Sequence, residues 1–212
     1  MRNGLSGIPV VVTLLLLISC SNEVSLNRDM IKLLADIDKS GYSAQNPFCA
    51  EAKLNFYDSS LKLTTEKNEI AVFENLIAST LLEFGDEEKA VAKGEDLMRK
   101  IPIYETEQRK AAMKGLAMAY LRLAERINCV RDHSVESCIF PIAGRGVHAD
   151  KTSSEKAIEL YEQILNSDPV DFESRWLLNI AYMTTGGYPQ RVPSLFLIKG
   201  LDTDTSGSKI IY

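Results

Sequence analysis

Histidine is almost missing from this chain of 212 residues: there are two, His133 and His148. Chemistry that needs an imidazole is therefore confined to one short stretch. Cysteine is scarce as well, at four residues, and none sits in a Cys-x-x-Cys-His string, so covalent haem attachment finds no support. No run of Lys and Arg tracks phosphates, and the net charge is −5, which argues against a nucleic-acid partner. The apolar run Ile8 to Ile18 is shorter than the roughly 20 residues a spanning helix needs. What is present is ordinary. A composition 45% hydrophobic and 25% charged belongs to globular proteins rather than disordered ones, and the length suffices for one domain with its own core.

The short apolar run has a second meaning. Arg2 precedes it and Leu17-Ile18-Ser19-Cys20 closes it, the order of a bacterial lipoprotein signal peptide covering residues 1–19. Cys20 is then the lipidated residue, and cleavage removes Arg2 and takes the net charge from −5 to −6. A lipid there holds the protein to a membrane by its anchor only. Ser21, rather than Asp, follows the cysteine, which points to the outer membrane of a bacterial envelope. Export into an oxidising compartment also bears on the other cysteines. With Cys20 lipidated, Cys49, Cys129 and Cys138 remain, and Cys129 and Cys138 form the local pair for one disulfide.

Residues 20–27 read as a tether, and residues 28–195 as a helical domain. Apolar residues recur at helical spacing in Met30–Ile37, around Phe48, Ala52, Phe56 and Leu61 or Leu63, and again at Ile70, Phe73, Leu76, Ile77, Leu81 and Phe84. Gly85-Asp86 ends one helix and caps the next, which carries Ala90 and stops at Ile101-Pro102. The same second-helix pattern returns with Ala157 and Pro169, and Ala90–Ala157 and Pro102–Pro169 are both 67 residues apart. That is close to two periods of about 34, the length of a tetratricopeptide repeat. The long stripe Ala112, Leu116, Ala119, Tyr120, Leu123 and Ile127 predicts one helix before the second copy. Thr152-Ser153-Ser154-Glu155 predicts the capping box that opens it. The fold expected is all-α, antiparallel helical hairpins of tetratricopeptide type, with a cysteine-containing insertion at 129–153. Residues 196–212 lose periodicity and read as an irregular tail; Asp202 onward lacks the Glu that a calcium loop requires.

The insertion Cys129–His148 holds both histidines and two of the cysteines. Three readings are open. Cys129, His133, Cys138 and His148 are zinc-type donors, but their C-x3-H-x4-C-x9-H spacing fits no compact zinc pattern. A cysteine nucleophile beside His133 would need a thiolate and an orienting group, and the sequence secures neither. The third reading is a loop closed by Cys129–Cys138, with His133, Phe140, Arg145 and His148 as its candidate binding residues and no catalytic, metal or cofactor site.

The string Ser137-Cys138-Ile139-Phe140-Pro141-Ile142, then Gly144-x-Gly146-Val147-His148, Ala157-Ile158, Arg175-Trp176-Leu177-Leu178-Asn179 and Gly187-Tyr188-Pro189 resembles the N-terminal helical region of ASPIC/UnbV-type exported bacterial proteins. In that family the region precedes an FG-GAP β-propeller. The resemblance covers the second half of the chain closely and the first half in layout only, and it carries no catalytic residues onto these positions. Helical repeats without a catalytic constellation point to a protein-interaction module whose partner is a protein or peptide, a β-propeller supplied by another chain among them. The alternative is a metal-binding protein or enzyme centred on Cys129–His148.

Overall fold

The computed structural model describes residues 8–102, 106–132 and 134–201, with the side chains of 8–24 and 106 outside that description. His133 and residues 202–212, which the sequence places in the binding loop and the tail, lie outside the described residues. Those described form seven α-helices and no strand. The chain divides into two compact units, residues 1–52 and 53–212.

In the first unit, α1 runs from Ile8 to Gly41. Pro9 stands in its first turn and the next glycine or proline is Gly41, so nothing interrupts the helix where the sequence places the leader and tether. Met30, Ile31, Leu33, Leu34 and Ile37 are exposed along it. No described helix is long and apolar enough to cross a membrane.

α2 (Ala50–Leu63) starts in the first unit and continues into the second. Only Ala52 is buried on it, and Phe48, just ahead of it, is 94% exposed. Helical spacing assigns Phe48, Phe56 and Leu63 to a core, yet all three are exposed. Spacing identifies a face but cannot guarantee full cover for it. α2 meets α3 through Tyr57 on Phe73, at 6.4 Å between ring centroids, and through the Lys53–Glu83 ion pair. This leaves Phe48, Phe56 and Leu63 uncovered.

The second unit is built by helices packing in chain order. α3 (Lys67–Glu83) packs on α4 (Glu87–Lys100), α4 on α5 (Thr106–Arg131), α5 on α6 (Thr152–Ser167), and α6 on α7 (Phe172–Thr184). α3 also reaches α5. Between α3 and α4 the turn is tight. Gly85 takes a left-handed φ of 83°, and the Asp86 carboxylate accepts the Lys89 N–H at 3.2 Å as N-cap. On α3 the buried residues are Ala71, Glu74, Ala78 and Thr80, a strip beside the larger Phe73 and Phe84 that periodicity selects. The small Ala71, Ala78 and Thr80 let neighbouring helices approach, while the buried Glu74 carboxylate is met by Lys93 and Lys100 of α4, at 3.0 and 2.7 Å. Gly94 of α4 shows the same economy of space: a Cβ there would lie 3.0 Å from Leu116 of α5.

Ala90, Leu116, Ala117, Tyr120, Ala157, Tyr161, Ile164, Leu165, Leu178 and Ala181 form one continuous core with Val192 and Phe196. Lysines of α5 fasten the α6–α7 turn: Lys110 pairs with Asp168, and Lys114 with Asp171 at 3.1 Å. Asp171 also caps α7 through the Ser174 N–H at 3.0 Å. Burial pushes the Asp171 carboxyl up, but the Ser174 and Lys114 hydrogen bonds outweigh it and hold the group below the ordinary carboxylate range. Lys151 is the residue before α6, with no side-chain cap bond, so the expected capping box at Thr152 is not formed. The Asp150 carboxylate accepts the Thr152 N–H instead, at 3.1 Å.

Beyond α7 the chain stays irregular to Leu201 but is not loose. Asn179, with no exposed surface, donates to the Phe196 and Arg175 carbonyls and accepts the Ile198 N–H. The Arg175 guanidinium donates to the Phe196 and Leu197 carbonyls. This double clamp seats Phe196 in the core.

Candidate functional site

The α5–α6 connection is shorter than the sequence suggests. Cys129 falls inside α5, and α6 starts at Thr152, so the connection covers 132–151. Its base is closed by Asn128 of α5, which donates to the Asp150 carbonyl and accepts the Asp150 N–H, both at 3.0 Å. Inside the connection two 3-10 turns, Val135–Ser137 and Gly144–Gly146, pack on each other. The Glu136 carboxylate accepts the Arg145 N–H at 2.6 Å. A Cβ on Gly146 would lie 2.4 Å from the Glu136 carbonyl oxygen, and Gly144 has a left-handed φ of 52°. The Gly-x-Gly spacing is thus a requirement of the fold of this segment.

Between this connection, α5 and α7 lies a pocket of about 460 Å³. Its walls are mainly apolar, with Leu121 from α5, Ile142 from the connection, and Leu177 and Ile180 from α7. Phe140 also borders it, and its ring lies 6.0 Å from that of Trp176. The two rings are 51% and 41% exposed and form a lip of apolar surface beside the opening. Arg122 and Glu125 pair with each other at 2.5 Å on its α5 side.

Cys129 and Cys138 both border this pocket. The structure carries them as free thiols, as it does Cys49, so the disulfide expected from the sequence is not formed in it. Burial pushes the Cys129 thiol up, and the neighbouring Glu125 and Cys138 add to the shift. A thiol held in that state is a poor nucleophile at neutral pH. Among the described residues no group of three or more His, Cys, Asp or Glu is placed to hold a metal ion.

His148 is the most constrained of the sequence-selected residues. It is 7% exposed, its N–H donates to the Thr184 carbonyl at 2.8 Å, and its Nδ1 lies 3.0 Å from the Ser154 hydroxyl. Burial pushes the imidazole pKa down from its ordinary value of 6.5, against the opposing pull of Asp150. Such a group stabilises the fold fully above about pH 6.5 and loses that contribution as the pH falls through its lowered pKa. Melting temperature should therefore fall between pH 7.5 and 5.5, and fall less in His148→Gln; parallel curves would remove His148 as a source. Arg145, by contrast, points away from the pocket. It pairs with Asp132 at 2.7 Å in an exposed bridge, a kind worth little in stability.

So the structure brings together Cys129, Cys138, Phe140 and His148 and leaves Arg145 outside. Sequence reasoning did not select Ser154, Trp176, Leu177, Ile180 and Thr184 for this site. Their helical spacing marked a packed face, and nothing local marks a contact made to a segment some 30 residues away. Comparisons with family models, curated proteins and solved structures found no match for this chain.

Proposed function

We propose that this chain is a lipid-anchored protein of the bacterial envelope whose second unit is a protein-interaction module of tetratricopeptide-like hairpins. The observation that carries the reading is the apolar pocket with its exposed Phe140–Trp176 lip. Exposed aromatic pairs beside a concave apolar opening are the usual anchors of protein recognition. The repeat reading is supported by the equivalent places of two alanines and two prolines. Ala90 and Ala157 are both buried, and Pro102 and Pro169 each stand two residues past the end of α4 and α6. The resemblance to ASPIC/UnbV-type proteins nominates a β-propeller chain as one partner, and the lipoprotein-signal order ending Leu17-Ile18-Ser19-Cys20 nominates Cys20 as the anchor.

Affinity capture from envelope extract should recover a protein with wild-type bait and at least tenfold less with Phe140→Asp. Equal recovery, or none with either bait, would sink the interaction reading. Cys129→Ser and Cys138→Ser address the thiols. If the chain is exported, the Cys20-lipidated protein should show one titratable thiol, Cys49, before reduction and three after. Three thiols before reduction would reject the Cys129–Cys138 disulfide.

A further inference from the structure

Four apolar residues on α1 are exposed in a regular order. Leu26, Met30, Leu33 and Ile37 are separated by four, three and four positions, and each is 54–67% exposed. That alternation is the seam of a coiled coil, with Leu26 and Leu33 at the d positions of a heptad and Met30 and Ile37 at the a positions. Leu34 widens the stripe at an e position, while Ile31 lies off it at b. The helix that carries the seam is uninterrupted from Ile8 to Gly41.

The charges beside the stripe narrow what can cover it. Asp29 and Asp36 fall at the g positions on its edge, and Arg28, Lys32 and Lys39 at the outer f and c positions. A helix lying on an anionic bilayer needs the reverse, with basic residues bordering its apolar face. A second helix with the same seam fits better. In a parallel pair each g residue faces the e residue five positions on in the other copy. Asp29 then meets Leu34 and Asp36 meets Gly41, so no like charges are opposed. An antiparallel pair brings the g edges together and sets Asp29 beside Asp36, which is unfavourable. Side-chain shape agrees, because Leu at both d positions with Ile at an a position favours two parallel strands.

An anchor at Cys20 supplies the remaining condition. Leu26 stands six positions after Cys20, so copies held on one membrane face present their seams in the same direction. A seam of about two heptads is marginal between free helices, and a shared surface raises the effective concentration that drives it.

We infer that residues 26–37 of α1 pair in parallel and in register with the same residues of a second copy of this chain. The raised concentration rests on the anchor reading above; the seam does not.

The test is oxidative cross-linking of the full-length chain in vesicles of phosphatidylcholine and phosphatidylglycerol. Wild type sets the background from Cys49, Cys129 and Cys138. Leu26→Cys and Leu33→Cys should each give a covalent dimer at least about fivefold above that background, and Arg28→Cys, on the outer face, should not. Met30→Asp added to Leu33→Cys should return the yield to background, because a carboxylate replaces an apolar seam contact. Background yield from both seam cysteines, or equal yield from Arg28→Cys, overturns the inference. An antiparallel pair would hold the two Leu26 positions about 16 Å apart along the axis. It would instead join Leu26→Cys to Ile37→Cys on differently tagged copies, and that outcome overturns the inference as well. Quenching of a fluorophore on Leu33→Cys by spin-labelled lipid would make the bilayer the occupant, with the same result. Mass analysis of Cys20 separates this pairing from the anchor. Lipid on Cys20 without a dimer removes the pairing and leaves the anchor; a dimer of chains without lipid keeps the pairing and removes the anchor.

Discussion

Asn179→Ala should lower the melting temperature by roughly 5–15 °C, the largest effect expected from any single polar side chain in the second unit. The reason is the number of backbone groups that depend on it. Asn179 donates to the Phe196 and Arg175 carbonyls and accepts the Ile198 N–H, all without solvent contact of its own. The Phe196 carbonyl keeps a second donor in Arg175, but the Ile198 N–H has no other acceptor among the described residues and is left unpaired. Lost bonds and one stranded donor together cost about 2–4 kcal/mol. Urea denaturation should show a lower midpoint with an unchanged slope, since the folded core is otherwise intact. A variant melting within a degree or two of wild type would mean that the 196–198 segment is held by apolar burial of Phe196 alone.

Gly146→Ala should disrupt the α5–α6 connection while leaving the helices in place. The new Cβ would meet the Glu136 carbonyl oxygen at 2.4 Å and its carbon at 2.7 Å, both backbone atoms that cannot swing aside. The two 3-10 turns must part, and Phe140 should leave Trp176. Trp176 is the only tryptophan in the chain, so its emission reports this site alone. We expect a red shift in fluorescence and faster proteolysis within 132–151, with far-ultraviolet circular dichroism unchanged. Gly200→Ala is the matched control, because Gly200 has a left-handed φ of 84° but nothing within 4 Å of its added Cβ. It tests backbone strain without collision. Unchanged Trp176 emission in Gly146→Ala would show that the turns tolerate the methyl group and that the Gly-x-Gly spacing is not a steric demand.

The helices of the second unit were legible in the sequence because their causes are local. Gly85-Asp86 supplies a left-handed turn and a cap, Ile101-Pro102 a stop, and Pro169, 67 residues after Pro102, the corresponding stop behind α6. Which side of each helix is buried was less legible. On α5, Met113, Ala117, Leu121 and Ala124 are buried alongside the expected Ala112, Leu116 and Tyr120, because this helix has neighbours on several sides and a single stripe cannot describe it. On α2 the opposite holds: Tyr57 meets Phe73 of α3, but Phe48 and Phe56, with the right spacing, stay exposed.

The site was half legible for a related reason. Residue type alone drew attention to Cys129, Cys138, Phe140 and His148, and they do border one pocket or its lip. What His148 does there depends on Ser154 and Thr184, which local sequence assigns to a cap and to an ordinary helical turn. Ser154 was expected to help open α6 and instead joins three segments through its hydroxyl. Polar contacts of this kind leave no periodic trace, since they need one residue from each of three elements and no repetition.

The clamp on 196–198 has a consequence for what can pack against α7. Among the described residues no further helix follows α7 to lie against it in the way that α4 covers α3 and α6 covers α5. Phe196 and the irregular run behind it take that place, tied down by Arg175 and Asn179. Here an irregular segment of a few residues covers an apolar side of α7. Packing another helix onto that side of α7 would first have to evict Phe196 from the clamp of Arg175 and Asn179.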